Sequence, residues 1–358
     1  MTELWIQTAL APVREIAAQA ARLETDGWGG VMLFDSQCLI ADPYVALALA
    51  AAATTRMGLG IGVTNPITRH AAVTASAIAA VQEASGGRAV LGIGRGNSSL
   101  AFLGARPASP ASFEAYVGLL QTLLRGEGAP VEQLLARGDG LAALDPQSLG
   151  RAPDAARLAW LDRSAAKVPV EIAATGPKLI AIAARKADRL SISVGAEVGR
   201  IADTLATARA AIEAAGRSGP LPVTAYVALA CLDDAAAARR LVAPDVAMHA
   251  HIAAMSPDNL AAMSDEERAV TKAVAAAYDM TRHARHGAQT EALDDAFIDA
   301  HAIVGPARAC VERLKALADL GLGRIVLMLP PPLKGDPRAS YEAIVGEVLP
   351  AFAAPQSR

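Results

Sequence analysis

The sequence predicts an α/β protein, a (β/α)8 TIM barrel with insertion segments, and three observations carry the prediction. Eight short apolar runs rich in β-branched residues recur along the chain. Ala-rich segments with helical spacing separate them. The length of 358 residues, 53% of them hydrophobic, is enough to fill one barrel core. Continuously apolar strands alternating with amphipathic helices imply a parallel sheet covered on its outer face, and eight such units close on themselves.

In chain order, the first strand is residues 4–8, followed by helical spacing over 12–26. The second, 30–34, leads to a helix over 42–54, with Asp42 as N-cap and Pro43 in the first helical position. The third, 57–64, precedes a helix over 71–84, and the fourth is 88–94. Strands at 168–173, 189–194, 222–231 and 324–329 complete the set, with helices over 178–186 and 198–215 between them. Two segments break the rhythm. Residues 126–167 carry GDG, DP and AP punctuation and read as an irregular, peripheral insertion. Residues 243–300 leave the C-terminal end of the seventh strand, the face on which barrel active sites are built, and read as a lid with a helical stretch over 265–286.

Composition excludes several classes. With 33 basic and 36 acidic residues, a net charge of -3 and no basic stripe, the chain is not expected to bind nucleic acid. Cys38, Cys231 and Cys310 are widely spaced and form no CxxC pair, which suits a reducing compartment and argues against a zinc ribbon; they read as small buried apolar residues. The start, MTELWIQTALAP, lacks a basic leader, and the apolar run at 45–53 is far short of the ~18 residues of a spanning helix. A cytoplasmic protein without membrane contact is expected.

The chemistry concentrates in two Gly-rich strands, MGLGIGVTNPITRH and RAVLGIGRGNSS. Glycine permits close approach of backbone to a flat ligand, and also relieves crowding inside a small barrel. Neither strand is a dinucleotide fingerprint: the sixth position of G-x-G-x-x-G is Val63 counted from Gly58 and Asn97 counted from Gly92.

The segments VTNPITRH, ASAIAAVQEASGGRAVLGIGRG and VPVEIAATGPKLIAIAARKADRL resemble the bacterial-luciferase-like flavin and deazaflavin oxidoreductase superfamily over almost the whole chain. TNPITRH, together with AYDMTRHARHGA and DAFIDAHAIVGPARACVERLKALADLGL, is more similar to the coenzyme F420 branch typified by methylenetetrahydromethanopterin reductase than to the FMN branch. The resemblance implies a homodimeric oxidoreductase that transfers hydride between F420 and a small organic substrate. It also implies roles at matching positions. Asp35 and Ser36 would face the reactive edge of the ring. Gly62 and Val63 match a non-prolyl cis peptide behind the ring, with Thr64 and Asn65 as polar contacts and Asn65 also near the chemistry. Gly94, Gly96 and Asn97 would lie beside the pyrimidine edge, and Ala174, Thr175, Gly176 and Gly195 beside the cofactor's side chain and phosphate, where backbone N–H groups suit an anion.

Sugar-phosphate dehydrogenases of the superfamily carry a histidine and a glutamate where this chain has Ser36 and Asn97, and basic residues for the sugar phosphate where it has Ala196, so glucose 6-phosphate is not an expected substrate. The general acid is then Asp35, a lid residue or water. Five of the six histidines, His249, His251, His283, His286 and His301, fall in or beside the lid. His283 and His286 would share a helical face, and His249 and His251 an extended one. His249, His251, Tyr278 and Met280 are the candidate substrate contacts. No HExxH or Cys/His pattern accompanies them, so no metal site is expected. Arg69 and His70 read as loop anchors at the start of a helix. Two other functions remain open at this level, an FMN-dependent monooxygenase and a non-catalytic flavin-binding barrel.

Overall fold

The computed structural model describes residues 2–136, 143, 145, 147, 150, 151, 153–331 and 335–353. Nine parallel strands form the main sheet: β1 (Glu3–Thr8), β2 (Gly30–Leu33), β3 (Gly58–Thr64), β4 (Ala89–Ile93), β5 (Val170–Ala173), β6 (Arg189–Ile192), β7 (Val223–Cys231), β8 (Ala302–Gly305) and β9 (Arg324–Met328). Strands β1 to β7 follow one another in sequence, β9 pairs with both β1 and β7, and the β6–β7 pairing closes an eight-stranded ring. All eight strands expected from sequence are present.

The ninth, β8, was not foreseen. Ala228 of β7 pairs with Met328 on one side and Ala302 on the other, so β8 continues the ring above β6 along the second half of the long β7. A four-residue apolar run directly after a helix carries too little alternation to read as a strand.

Helices α1 (Ile16–Thr25), α2 (Pro43–Ala53), α3 (Ala71–Ala84), α4 (Pro110–Leu124), α5 (Pro177–Lys186) and α6 (Val198–Ala214) cover the outside of the first six strands. Asp42 caps α2 as expected, accepting from the backbone N–H groups of Tyr44 and Val45, with Pro43 opening the helix. Of the insertion at 126–167, residues 137–142 and several up to 152 lie outside the described residues. The rest forms a two-stranded antiparallel pair, Ala129–Pro130 with Ala155–Ala156, and a short helix, Val131–Leu135.

The segment at 243–300 is more helical than its sequence suggests. Helix α7 (Ala235–Ala254) starts upstream of it, capped by Asp234, and runs through Pro244. Proline lacks the N–H that an interior turn needs, which is why the pattern reads as ending there. Helices α8 (Asp265–Ala277) and α9 (Asp295–His301) follow, then α10 (Ala307–Ala318) after β8 and α11 (Asp336–Ala343) after β9. One apolar cluster joins barrel residues Met32, Tyr226, Ala228 and Met328 to Val242, Val246 and Ala250 of α7, Val274 of α8 and Phe297 of α9. This continuity seats the helices over the C-terminal mouth of the barrel.

The opposite end of the barrel is plugged. The Trp5 ring lies where a Cβ on Gly30 or Gly58 would fall, 2.3 Å from its atoms, and the Arg324 guanidinium stacks on it at 3.5 Å. Fully buried Glu171 accepts from Thr224 Oγ1 (2.8 Å) and Arg189 Nε (3.2 Å), with Arg324 Nη1 at 3.5 Å. Arg189 and Arg324 open their strands and Glu171 and Thr224 sit one residue in, so a compensated charge cluster closes the N-terminal end.

Candidate active site

At the C-terminal ends of β2 and β3, Asp35 is 2% exposed and both of its carboxylate oxygens are engaged. Thr64 Oγ1 donates to one at 2.6 Å and Gln37 Nε2 to the other at 2.5 Å. Burial pushes the Asp35 carboxyl above its usual range, against the Thr64 hydrogen bond and the charge of Arg69, which favour the ionised form. Ser36 follows, partly buried. The proton of the Thr64 hydroxyl is therefore given to Asp35, and its oxygen retains acceptor capacity.

The Gly62–Val63 peptide is cis. Its carbonyl accepts from Gln7 Nε2 of β1, and a Cβ on Gly62 would lie 2.6 Å from the Tyr226 hydroxyl and 2.9 Å from Met32 Cβ. Gly62 thus meets a packing demand from inside the barrel. Next in sequence, Asn65 is 1% exposed; its Oδ1 accepts from the N–H groups of Ile67 and Thr68, fixing the turn, while its Nδ2 is buried without a hydrogen-bond partner. The loop ends as expected. Arg69 pairs with Asp42 and stacks on Tyr44, and His70 caps α3, its Nδ1 accepting from Ala72 N–H.

Just past β4, a Cβ on Gly94 would press on Val63 Cγ2 at 3.3 Å and touch Ala173 Cβ at 3.8 Å. Gly96 adopts φ +85°, with Leu100 and Asn65 packed against it, and Asn97 opens the short helix Ser98–Ala101 without a side-chain cap. Ala174 is buried, Thr175 exposed, and Gly176 precedes α5 with Pro177 in the first helical position, leaving free backbone donors at a ten-residue helix. Gly195 (φ +94°) packs under the end of the lid, where Ala196 N–H donates to Ala300 O at 3.0 Å. The ends of β2 to β6 thus present small residues, one buried unpartnered amide and a helix N-terminus.

The lid side chains depart from expectation. Because α7 is helical through this stretch, His249 and His251 point to different sides of it: His249 Nδ1 bonds the Asp245 carbonyl at 2.7 Å, while His251 stacks on Tyr278 at 4.0 Å between centroids. Helix α8 ends at Tyr278, because Asp279 accepts from Thr281 N–H and starts a separate 3-10 turn at Met280–Arg282. His283 and His286 therefore lie beyond the helix and share no helical face, and the stretch over 265–286 is not continuous. Met280 is partly buried at the start of that turn. Tyr278 shares a 2.8 Å hydrogen bond with His283, whose ring meets Phe102 edge-on at 5.9 Å. Burial lowers the pKa of His249, His251 and His283, favouring their neutral forms. His301 and Arg200 both contact Glu267, tying α8 to α6.

Cys38 departs too. It is exposed, at φ +69° in the loop after β2, whereas Cys231 and Cys310 are buried as read. Among the described residues, no group of three or more His, Cys, Asp and Glu side chains is arranged to hold a metal ion, and no helix is long and apolar enough to cross a membrane. Several site residues had no sequence signal of their own: Gln7, Gln37 and Tyr226 are ordinary polar residues until the barrel brings them to Asp35 and Gly62.

A closed (β/α)8 barrel whose strands end in a small-residue cradle under a helical lid places its candidate site at the C-terminal face. The chain belongs to the luciferase-like monooxygenase family, whose model matches residues 2–324. It is 29% identical over 325 residues to a 5,10-methylenetetrahydromethanopterin reductase of Methanolobus tindarius, covering 88% of this chain and 90% of that protein. Its fold superposes on the coenzyme F420-dependent tetrahydromethanopterin reductase of Methanopyrus kandleri with a TM-score of 0.74, at 21% identity and covering 98% and 99% of the two chains. An F420-dependent secondary alcohol dehydrogenase, solved with an F420-acetone adduct, superposes with a TM-score of 0.71, at 16% identity and covering 99% of each chain.

Proposed function

We propose that the protein is a coenzyme F420-dependent oxidoreductase that exchanges a hydride with a small organic substrate, a reduced-pterin derivative being the first candidate. The single observation that carries the reading is similarity to methylenetetrahydromethanopterin reductase over 88% of this chain and 90% of that protein, and the cradle suits a deazaflavin. The cradle has Gly94 at a strand end, where a Cβ would press on Val63 Cγ2 at 3.3 Å, a buried donor without a partner in Asn65 Nδ2, and backbone donors at the start of α5 for a phosphate.

When bound, F420 supplies the two-electron hydride chemistry. The chain's residues bind, orient and exclude water. In this reading Gly62, Val63, Gly94, Gly96 and Asn97 support the ring, Asn65 donates to its polar edge, and Ala174, Thr175, Gly176 and Gly195 receive the side chain. Asp35 and Ser36 stand nearest the reactive edge, where Asp35, held by Thr64 and Gln37, orders polar groups and holds or accepts a proton. His249, His251, Tyr278 and Met280, carried by the lid at 243–300, select the substrate.

The finer parts of the proposal are a homodimer and a cytoplasmic location. Helix α2, PYVALALAAAA, carries no charge and exposes Val45 and Leu49, and the neighbouring α3 exposes Val73, apolar surface suited to a second copy. The three free cysteines suit a reducing compartment. The function is tested by anaerobic oxidation of reduced F420 with 5,10-methylenetetrahydromethanopterin. Turnover supports the reading. Failure with this and other small acceptors, together with oxygen consumption on reduced FMN, replaces it with the monooxygenase reading.

A further inference from the structure

Beyond the end of α8, the lid is organised by a column of rings. The Tyr278 ring lies face to face with His251 of α7, with centroids 4.0 Å apart and planes at 11°. Its hydroxyl is 2.8 Å from His283 Nδ1, and the His283 ring stands at 77° to Phe102, with centroids 5.9 Å apart. Phe102 belongs to the loop that follows Gly94, Gly96 and Asn97, directly after the helix Ser98–Ala101. The column therefore runs from the lid helix to the loop of the proposed cofactor cradle.

The turn between these rings is tied by hydrogen bonds of its own: Gln289 Nε2 donates to the Arg282 and Arg285 carbonyls, Arg282 donates to the His286 carbonyl, and Ala284 N–H donates to the Tyr278 hydroxyl at 3.5 Å. The 3-10 turn Met280–Arg282 buries none of its residues, and Ala284, next to His283, adopts φ +52°, a left-handed conformation uncommon for a residue with a Cβ. The shortest polar contact of the Tyr278 hydroxyl is the 2.8 Å one to His283, and with the His251 stack it holds the ring where it points. A neutral His283 accepts the phenol proton at Nδ1, and burial together with His251 and His249 disfavours its charged form.

We propose that His283 is a positioning residue: braced on Phe102, it fixes the Tyr278 ring against the loop of the cofactor cradle and so sets how tightly substrate is held. The proposal rests on the reading of the lid as the substrate selector. His283 touches neither the cofactor nor the substrate in this scheme; it acts through Tyr278.

The test compares His283→Leu, His283→Asn, Phe102→Leu and Tyr278→Ala, with reduced F420 and 5,10-methylenetetrahydromethanopterin as probes. Asparagine places Oδ1 close to where Nδ1 stands, so it retains the acceptor while losing the ring. Losing the hydrogen bond in His283→Leu should raise KM for the pterin about five- to tenfold, with kcat and F420 affinity little changed. His283→Asn should recover most of that loss, and Phe102→Leu should shift KM in the same direction by a smaller factor. A raised KM in Tyr278→Ala with an unchanged KM in His283→Leu overturns the positioning role and leaves the lid reading standing. Unchanged KM in both overturns the two together. If His283→Leu does not fold, the decision passes to the folded Phe102→Leu and His283→Asn. Hydrogen exchange at residues 278–286, measured with F420 bound, should then be faster than in the parent for Phe102→Leu and close to the parent for His283→Asn. Equal exchange in the parent and Phe102→Leu refutes the proposal.

Discussion

Replacing Gly58 or Gly94 by alanine adds the same methyl group at two heights of the barrel, and the structure assigns the two opposite consequences. At Gly58 the new carbon would sit 2.3 Å from Trp5 Cη2 and Cζ2. Trp5 has nowhere to retreat. Its Nε1 donates to Glu3 at 3.0 Å, Arg324 lies 3.5 Å over the ring, and the space of a Gly30 side chain is already filled. Overpacking of this kind costs about 1–3 kcal/mol. With an unfolding entropy of about 2.1 cal/mol/K per residue, a chain of this length should lose about 1–4 °C of Tm. At Gly94 the new carbon would press on Val63 Cγ2 at 3.3 Å, a contact that a side-chain methyl relieves by a small shift, with Ala173 Cβ at 3.8 Å, so Gly94→Ala should cost about 1 kcal/mol or less. The methyl would stand in the proposed ring site, and F420 affinity should fall about tenfold. Thermal unfolding of the apo protein and fluorescence titration with F420, run on both variants, read the two effects separately. The reasoning is refuted if Gly94→Ala binds F420 like the parent, or if Gly58→Ala loses affinity while keeping its Tm.

Asp35→Asn preserves the shape of the β2–β3 junction and removes the ionisable group; turnover should fall about 100-fold while F420 affinity stays close to the parent's, and undiminished turnover removes Asp35 from the chemistry. Glu267 is opposed by burial, yet hydrogen bonds from His301 and Arg200 hold its pKa down to about 2 from 4.5. A depressed carboxylate contributes stability above its unfolded pKa and loses it as pH falls from about 4.5 toward 2, so the Tm difference between parent and Glu267→Gln should be full above pH ~5 and shrink on acidification, and a constant difference contradicts the linkage. Val45→Glu places a charge on the uncharged α2 face and should convert a dimer to monomer in light-scattering mass measurement, while an unchanged mass shows that the dimer uses another face.

Much of the barrel was legible because each strand is a bounded apolar run and the helices between carry their own stop and start signals. Asp42 before Pro43 is one such signal, and His70 before α3 behaves as read. The cis peptide at Gly62–Val63 came from the family resemblance, not from any local pattern. What escaped were contacts between residues far apart in sequence. Glu171 is an acid in an apolar strand whose partners Arg189, Thr224 and Arg324 come from three other strands. The lid was misread where a single residue overrode the pattern. Pro244 concealed a continuous α7, and the Asp279 cap ended α8 where periodicity suggested continuation. His283 escaped as a partner of Tyr278 because its role depends on Phe102, brought from a different loop.

The most direct test of the central claim is a parallel equilibrium titration of the apo protein with F420 and with FMN, followed by addition of oxygen to each reduced complex. The account predicts saturable binding of F420 at least about tenfold tighter than FMN, a gap of about 1.4 kcal/mol, with no oxygen uptake. Tighter binding of FMN, with oxygen consumed on reduction, would contradict it.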